Sequence, residues 1–277
     1  MKKIIAPVDF SAVSKNAALY AANMAAFLNI PLVLLHVTEL PISYAEVPSV
    51  PVTDSALLDD GNNLLQALSK ELDEKLSGQL TIETVNRTGN PLFEITSYCN
   101  RVKPYALVIG THGNSSFTRL LLGSTTLGVI KECAYPVVII PSGYAFRKPL
   151  KIGLASDLHD VSNTTPADII RQLVDDLGGK LEILHVDKDD LEEEEALVAE
   201  TRQLDTMFAD QHPKIKILKS VFTEETLLNY AVEKNLDLLM VVPKKHNWID
   251  LLIKHQHTKN IALHAAVPVM VLKNHIH

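Results

Sequence analysis

Between residues 110 and 126 the chain reads GTHGNSSFTRLLLGSTT. Two residues separate Gly110 from Gly113, nine separate Gly113 from Gly123, and three hydroxyl side chains, Ser124, Thr125 and Thr126, follow at once. Glycine permits turns and close approaches that a Cβ forbids. The apolar run ending at Ile109 reads as a strand, and the residues after Gly123 read as a helix running to about Cys133. The spacing therefore predicts a strand ending at Gly110, sharp turning at Gly110 and Gly113, and a helix N-terminus at Gly123. The free N–H groups and positive dipole end of such a helix attract anions, and hydroxyls add donors. Those are the parts of a phosphate cradle. Taken singly, each residue also has an ordinary use: Ser124 or Thr125 as a helix cap, the glycines as turn residues.

The elements that must position this stretch can be read on both sides of it. IIAPV (4–8) and LVLLHV (32–37) are short, near-continuous apolar runs, the pattern of parallel strands buried on both faces. Between them NAALYAANMAAFLN (16–29) has apolar residues at helical spacing. A Pro-rich loop (41–52), a leucine-rich helix over 57–76, a strand LTIETV (80–85) and a helix PLFEITSYCNRV (91–102) follow, the last with Pro91 where a helix tolerates it best. ALVIG (106–110) and VVII (137–140) are the remaining strands. The same order then repeats. KKIIAPVDFS (2–11) is echoed by LKIGLASDLH (150–159), LVLLHVTE (32–39) by LEILHVDK (181–188), and AYPVVIIP (134–141) by AVPVMVLK (266–273). The repeat predicts two domains, 1–143 and 150–277, joined through PSGYAFRKPL. Alternating strands and helices predict an α/β fold with a parallel sheet and helices on both faces. Ligands bind such sheets beyond the carboxyl ends of the strands, where strand order reverses.

The spacing G-x2-G-x9-G-[ST], with the flanking LLLGSTT and AYPVVIIP, resembles the nucleotide motif of the ATP-binding universal stress proteins, and the resemblance extends over both halves. It implies two Rossmann-like domains of the adenine nucleotide alpha hydrolase type, each a five-stranded parallel sheet of order 3-2-1-4-5. It implies ATP, with Mg2+, as the ligand. By position, Pro7, Val8 and Asp9 would border the adenosine, the Val37 backbone would meet the adenine edge, and Ile109 and Gly110 would lie along base and ribose. Gly113, Gly123, Ser124, Thr125 and Thr126 would hold the phosphates. An aspartate at position 9 serves equally well as a cap for the following helix. The resemblance also implies pairing of the two domains through their last strands, with a further homodimer open, and a nucleotide-dependent regulatory or protective role under stress. A dimerisation scaffold that binds no nucleotide is the alternative, and a slow ATPase a second one.

The second half lacks the glycines. Val241, Lys244, His255 and Gln256 stand opposite Gly110, Gly113, Gly123 and Ser124, so ATP is expected in the first domain only. Lys244, Lys245 and His246 read as a solvated basic loop, with anion binding the sharper alternative, and Trp248 as packing. The histidines 246, 255, 257, 264, 275 and 277 lack carboxylate or cysteine partners in ligand spacing, so no metal site is expected. There is no P-loop lysine, and no catalytic residue can be placed. Net charge is -7 over 277 residues, which disfavours nucleic acid and anionic membranes. No apolar run approaches the roughly 20 residues of a membrane helix. The N-terminal MKKIIAPVDF reads as a strand and not as a signal peptide, and two cysteines outside any CxxC pair fit a reduced cytoplasm.

Overall fold

A computed structural model of the chain describes residues 2–39, 54–113, 120–121, 123–187, 194–221, 223–243 and 267–274. The Pro-rich loop 41–52, Arg119, and the stretch containing Lys244 to His264 lie outside the described residues, as do His275 and His277.

In the first repeat, strands β1 (Ile4–Pro7), β2 (Leu32–Thr38), β3 (Ile82–Thr88), β4 (Ala106–Gly113) and β5 (Val137–Pro141) alternate with helices α1 (Ala12–Leu28), α2 (Asp54–Lys75), α3 (Pro91–Val102) and α4 (Ser124–Glu132). The sheet order is β3-β2-β1-β4-β5, the expected 3-2-1-4-5. β1 runs parallel to β2, with Ile4 opposite Leu32, and to β4, with Ile4 opposite Ala106. β2 and β3 pair in parallel from Leu32↔Ile82 to Thr38↔Thr88. β3 therefore starts and ends later than its apolar run suggests. It stops where Gly89 takes φ 139°, a conformation open to glycine alone, and Asn90 then caps α3 by accepting from the Phe93 N–H at 3.1 Å.

Close packing in this repeat rests on small residues. Ala17, Ala18, Ala21, Ala22 and Ala25 of α1 are fully buried, so the helix lies low on the sheet. Ser11 caps α1, its Oγ accepting from the Ser14 N–H at 3.2 Å, and the helix ends on Asn29 at φ 53°. That cap starts α1 four residues before its alanine-rich pattern does. Gly128, mid-helix in α4, faces Leu92 of α3, whose side chain leaves no room for a Cβ. Cys99 and Cys133 are buried and form no disulfide, and the contact with Cys133 together with burial pushes the Cys99 thiol far up, so Cys99 stays protonated.

By compactness the chain divides into residues 1–110 with 123–135, and residues 111–122 with 136–277. The second unit has strands β6 (Lys151–Ala155), β7 (Lys180–Asp187), β8 (Lys214–Lys219), β9 (Leu238–Val241) and β10 (Val269–Val271). Its parallel order is β8-β7-β6-β9-β10, the same 3-2-1-4-5. Val137, Val138 and Ile139 of β5 pair antiparallel with Val271, Met270 and Val269 of β10. These last strands of the two repeats are therefore paired with each other. The first helix of this unit is broken: a single turn, α5 (Val161–Thr164), precedes Pro166 and α6 (Ala167–Leu177). Helices α7 (Glu194–Met207) and α8 (Thr223–Glu233) follow among the described residues.

The structure corrects two readings of Gly110. β4 runs straight through it to Gly113, with no turn there. A Cβ at 110 would stand 2.7 Å from both the carbonyl oxygen and Cγ1 of Val13, in the first turn of α1. Backbone cannot yield as a side-chain tip can. Gly110→Ala is expected to destabilise the fold by about 1–3 kcal/mol, the usual cost of overpacking, measured by urea denaturation; an unchanged midpoint would contradict this packing.

Candidate functional site

The carboxyl end of β1 is held from two sides. The Val8 N–H donates to the Leu35 carbonyl at 2.8 Å, and the Val8 carbonyl accepts from His36 Nδ1 at 2.8 Å. That second bond places the imidazole proton on Nδ1. Phe10 follows at φ 63°, and its ring lies 4.6 Å from that of His36 at 44°. Sequence reasoning gave neither residue a role. Their signal was present in the repeat itself, where an Asp-x step and an in-register histidine occur twice: Asp157, then Leu158 at φ 49°, and His185 Nδ1 donating to the Ser156 carbonyl at 3.1 Å.

Asp9 resolves into a positioning group for the turn. Its Oδ1 accepts from the Ser11 N–H at 3.0 Å and the Ser11 Oγ at 2.6 Å, while its own N–H donates to Ser14 Oγ at 3.3 Å. Ser11, and not Asp9, caps α1. Burial alone would raise the Asp9 pKa, but hydrogen bonds from Ser11 and Ser14 outweigh it and hold the carboxyl below the ordinary aspartate value.

Pro7 and Val8 end β1, Val37 lies near the end of β2, and Ile109 with Gly110 lies on β4, so all five sit toward the carboxyl ends of three neighbouring parallel strands. Gly123, Ser124, Thr125 and Thr126 form the N-terminus of α4, as expected. Gly113 is placed differently from a turn residue. It pairs with Leu120, and His112 with Leu121, in an antiparallel strand pair, and these residues go with the second compact unit.

Gly123 differs from the glycines the packing requires. It has an ordinary extended backbone, φ -62° and ψ 157°, and a Cβ there would meet nothing within 4 Å among the described residues. As the N-cap of α4 it supplies no side-chain acceptor. Serine or aspartate would fit the same backbone and cap the helix better. Packing among the described residues therefore gives no reason for glycine here. Among the described residues no group of three or more His, Cys, Asp or Glu side chains could hold a metal ion. No helix among them is long and apolar enough to cross a membrane.

The Asp9 bonds predict a pH dependence. A depressed folded-state pKa contributes stability that is present above the unfolded value, about 3.9, and is lost as pH falls through the folded value. Asp9→Asn is expected to be less stable than the parent at neutral pH, with the difference closing on acidification below the ordinary aspartate range. Thermal melts of both proteins across that range check it, and a constant difference would contradict it.

The model of the universal stress protein family matches residues 1–141. The chain is 29% identical over 152 residues to universal stress protein MJ0531 of Methanocaldococcus jannaschii, covering 54% of this chain and 84% of that protein. It is 25% identical over 142 residues to universal stress protein Rv2005c of Mycobacterium tuberculosis, covering 50% of this chain and 48% of that protein. A crystal structure of a universal stress protein from Archaeoglobus fulgidus shares the fold, with a TM-score of 0.72, 18% identity and 98% coverage of both chains. With half of the chain matched from its first residue, and the parallel 3-2-1-4-5 sheet in place, this chain belongs to the universal stress protein family.

Proposed function

We propose that the first repeat, residues 1–143, binds ATP at the carboxyl ends of β1, β2 and β4, and that occupancy regulates a protective response to stress. The observation that carries this reading is Gly123. It is a helix N-cap that packing among the described residues leaves open, in a position where an ordinary capping residue would improve the fold, at the offset of the family's phosphate motif. A bare N-cap lets an anion reach the first N–H groups of α4, and Ser124, Thr125 and Thr126 offer hydroxyls beside it. Pro7, Val8, Asp9, Val37, Ile109 and Gly110 border the adenosine, and Gly113 adds to the phosphate end. Gly110 has a double duty in this account, since its missing Cβ also seats it on Val13.

The residues fit a nucleotide better than a nucleotide with a protein-held metal. Without a carboxylate or histidine cluster among the described residues, Mg2+ would ride on the phosphates, as it commonly does. The chain offers no base and no fixed cation for phosphoryl transfer among these residues, so the proposed role is binding, with hydrolysis slow at most. In the second domain, 150–277, Val241 replaces Gly110 and is buried at the end of β9. Its degenerate motif supports one nucleotide per chain. The β5–β10 pairing supports an internal pseudo-dimer through the last strands, and a second copy of the chain would add a homodimer.

Two substitutions separate binding from folding. Gly123→Asp is expected to retain or raise the melting temperature, through better capping, and to lose ATP binding through charge repulsion. Gly123→Val is expected to stay folded and lose ATP through bulk. Calorimetric titration of both with ATP and magnesium checks this, and parental affinity in either would overturn the phosphate role of this helix start.

A further inference from the structure

We infer that the first half of α2 opens and closes as a unit hinged at Gly61, and that nucleotide at the end of β2 holds it closed. The coupling to nucleotide rests on the proposed function of the first repeat; the hinge does not. α2 is seated in two different ways along its length. In its second half the inward side chains Leu65, Leu68 and Leu72 are 1%, 4% and 1% exposed, the apolar burial that gives most helices in proteins their stability. One turn before Leu65 the inward position is Gly61, which is buried but has no side chain to bury. Leu64 is 50% exposed and Leu58 half-buried, so from residue 58 to residue 64 no apolar side chain is buried.

A polar clasp holds that first half instead. Asn86 of β3 donates from Nδ2 to the Leu58 carbonyl at 3.1 Å, and its Oδ1 accepts from Thr38 Oγ1 at 3.0 Å. The helix comes this close because residue 61 is glycine: a Cβ there would stand 2.7 Å from Asn86 Nδ2, 3.1 Å from His36 Cδ2 and 3.2 Å from Thr38 Oγ1. A hydrogen bond contributes less, net, than a fully buried leucine, and a glycine inside a helix adds backbone freedom. Segments with few buried apolar contacts open locally before the rest of the structure does. The fold itself does not demand this arrangement. At the corresponding places the second unit has Asp187 and Ile217, and α7 contains no glycine.

The clasp bears on the end of β2. Pairing with β1 stops at Leu35, while pairing with β3 continues to Thr38. The last turn of β2 is therefore braced by β3 along one edge and by the first half of α2 through His36 and Thr38. Val37, whose backbone borders the proposed base, lies between those two residues. A ligand that orders Val37 orders the residues on which Gly61 is seated, and so favours the closed half-helix. By linkage, closing the half-helix favours the ligand.

Hydrogen exchange of the full chain, read by mass spectrometry, tests this. Without nucleotide, amides 58–64 are expected to exchange about tenfold or more faster than amides 65–75. Asn86→Ala is expected to speed 58–64 further and leave 65–75 unchanged, whereas a general loss of stability would speed both. ATP with magnesium, at a concentration shown by calorimetry to saturate the same protein, is expected to slow 58–64 by roughly fivefold or more. Equal exchange along the helix, or an equal response of both halves to Asn86→Ala, overturns the hinge; should that variant not fold, the parental comparison decides. Calorimetric binding of ATP with unchanged exchange at 58–64 overturns the coupling. If ATP gives no heat, the nucleotide site and the coupling fall together, and the exchange difference between the two halves still decides the hinge.

Discussion

At residue 110, β4 can lie against the first turn of α1 only because that residue carries no Cβ. The Val13 carbonyl oxygen would otherwise stand 2.7 Å from it. That contact brings β4 and the start of α1 together toward the carboxyl edge of the sheet. Around it the Asp9–Ser11–Ser14 bonds and the His36–Val8 bond set the course of the chain as it leaves β1. The fold thereby fixes the floor of the proposed site before any ligand arrives. Gly123 stands at the start of α4, where packing among the described residues makes no such demand.

The second unit shows what happens when that contact is released. Val241 stands where Gly110 would, and the helix following β6 no longer begins directly after the Asp-x turn. A single helical turn intervenes, its start bonded by Glu200 from a different helix. The turn itself survives: Leu158 keeps a positive φ, as Phe10 does, and His185 keeps its bond to the strand end. The sheet end is thus retained as scaffold while the glycines of the first repeat's motif are replaced in the sequence. Duplication leaves one copy free to change in this way.

Much of the architecture was legible because the signals were local. Pro91 marked the start of α3, buried strands appeared as unbroken apolar runs, and the repeat exposed the domain plan. Element boundaries were less legible where a cap or a neighbouring strand decides them. α1 begins at Ala12 because Ser11 caps it, and β3 extends to Thr88 because β2 offers partners that far. Of the glycines, composition and spacing announced three but could not assign their tasks. Gly110 serves packing against a residue nearly a hundred positions away, which no linear pattern reveals. Gly113 lies in a strand pair, and Gly61, unremarked in the sequence, seats α2 on His36 and Asn86.

The central claim is that a bare helix start in the first repeat, and its loss in the second, gives this chain a single nucleotide site. Stoichiometry tests it most directly. Titration of the intact chain with ATP and magnesium should give one equivalent per chain. Two equivalent sites, or no heat of binding at millimolar nucleotide concentration, would contradict it.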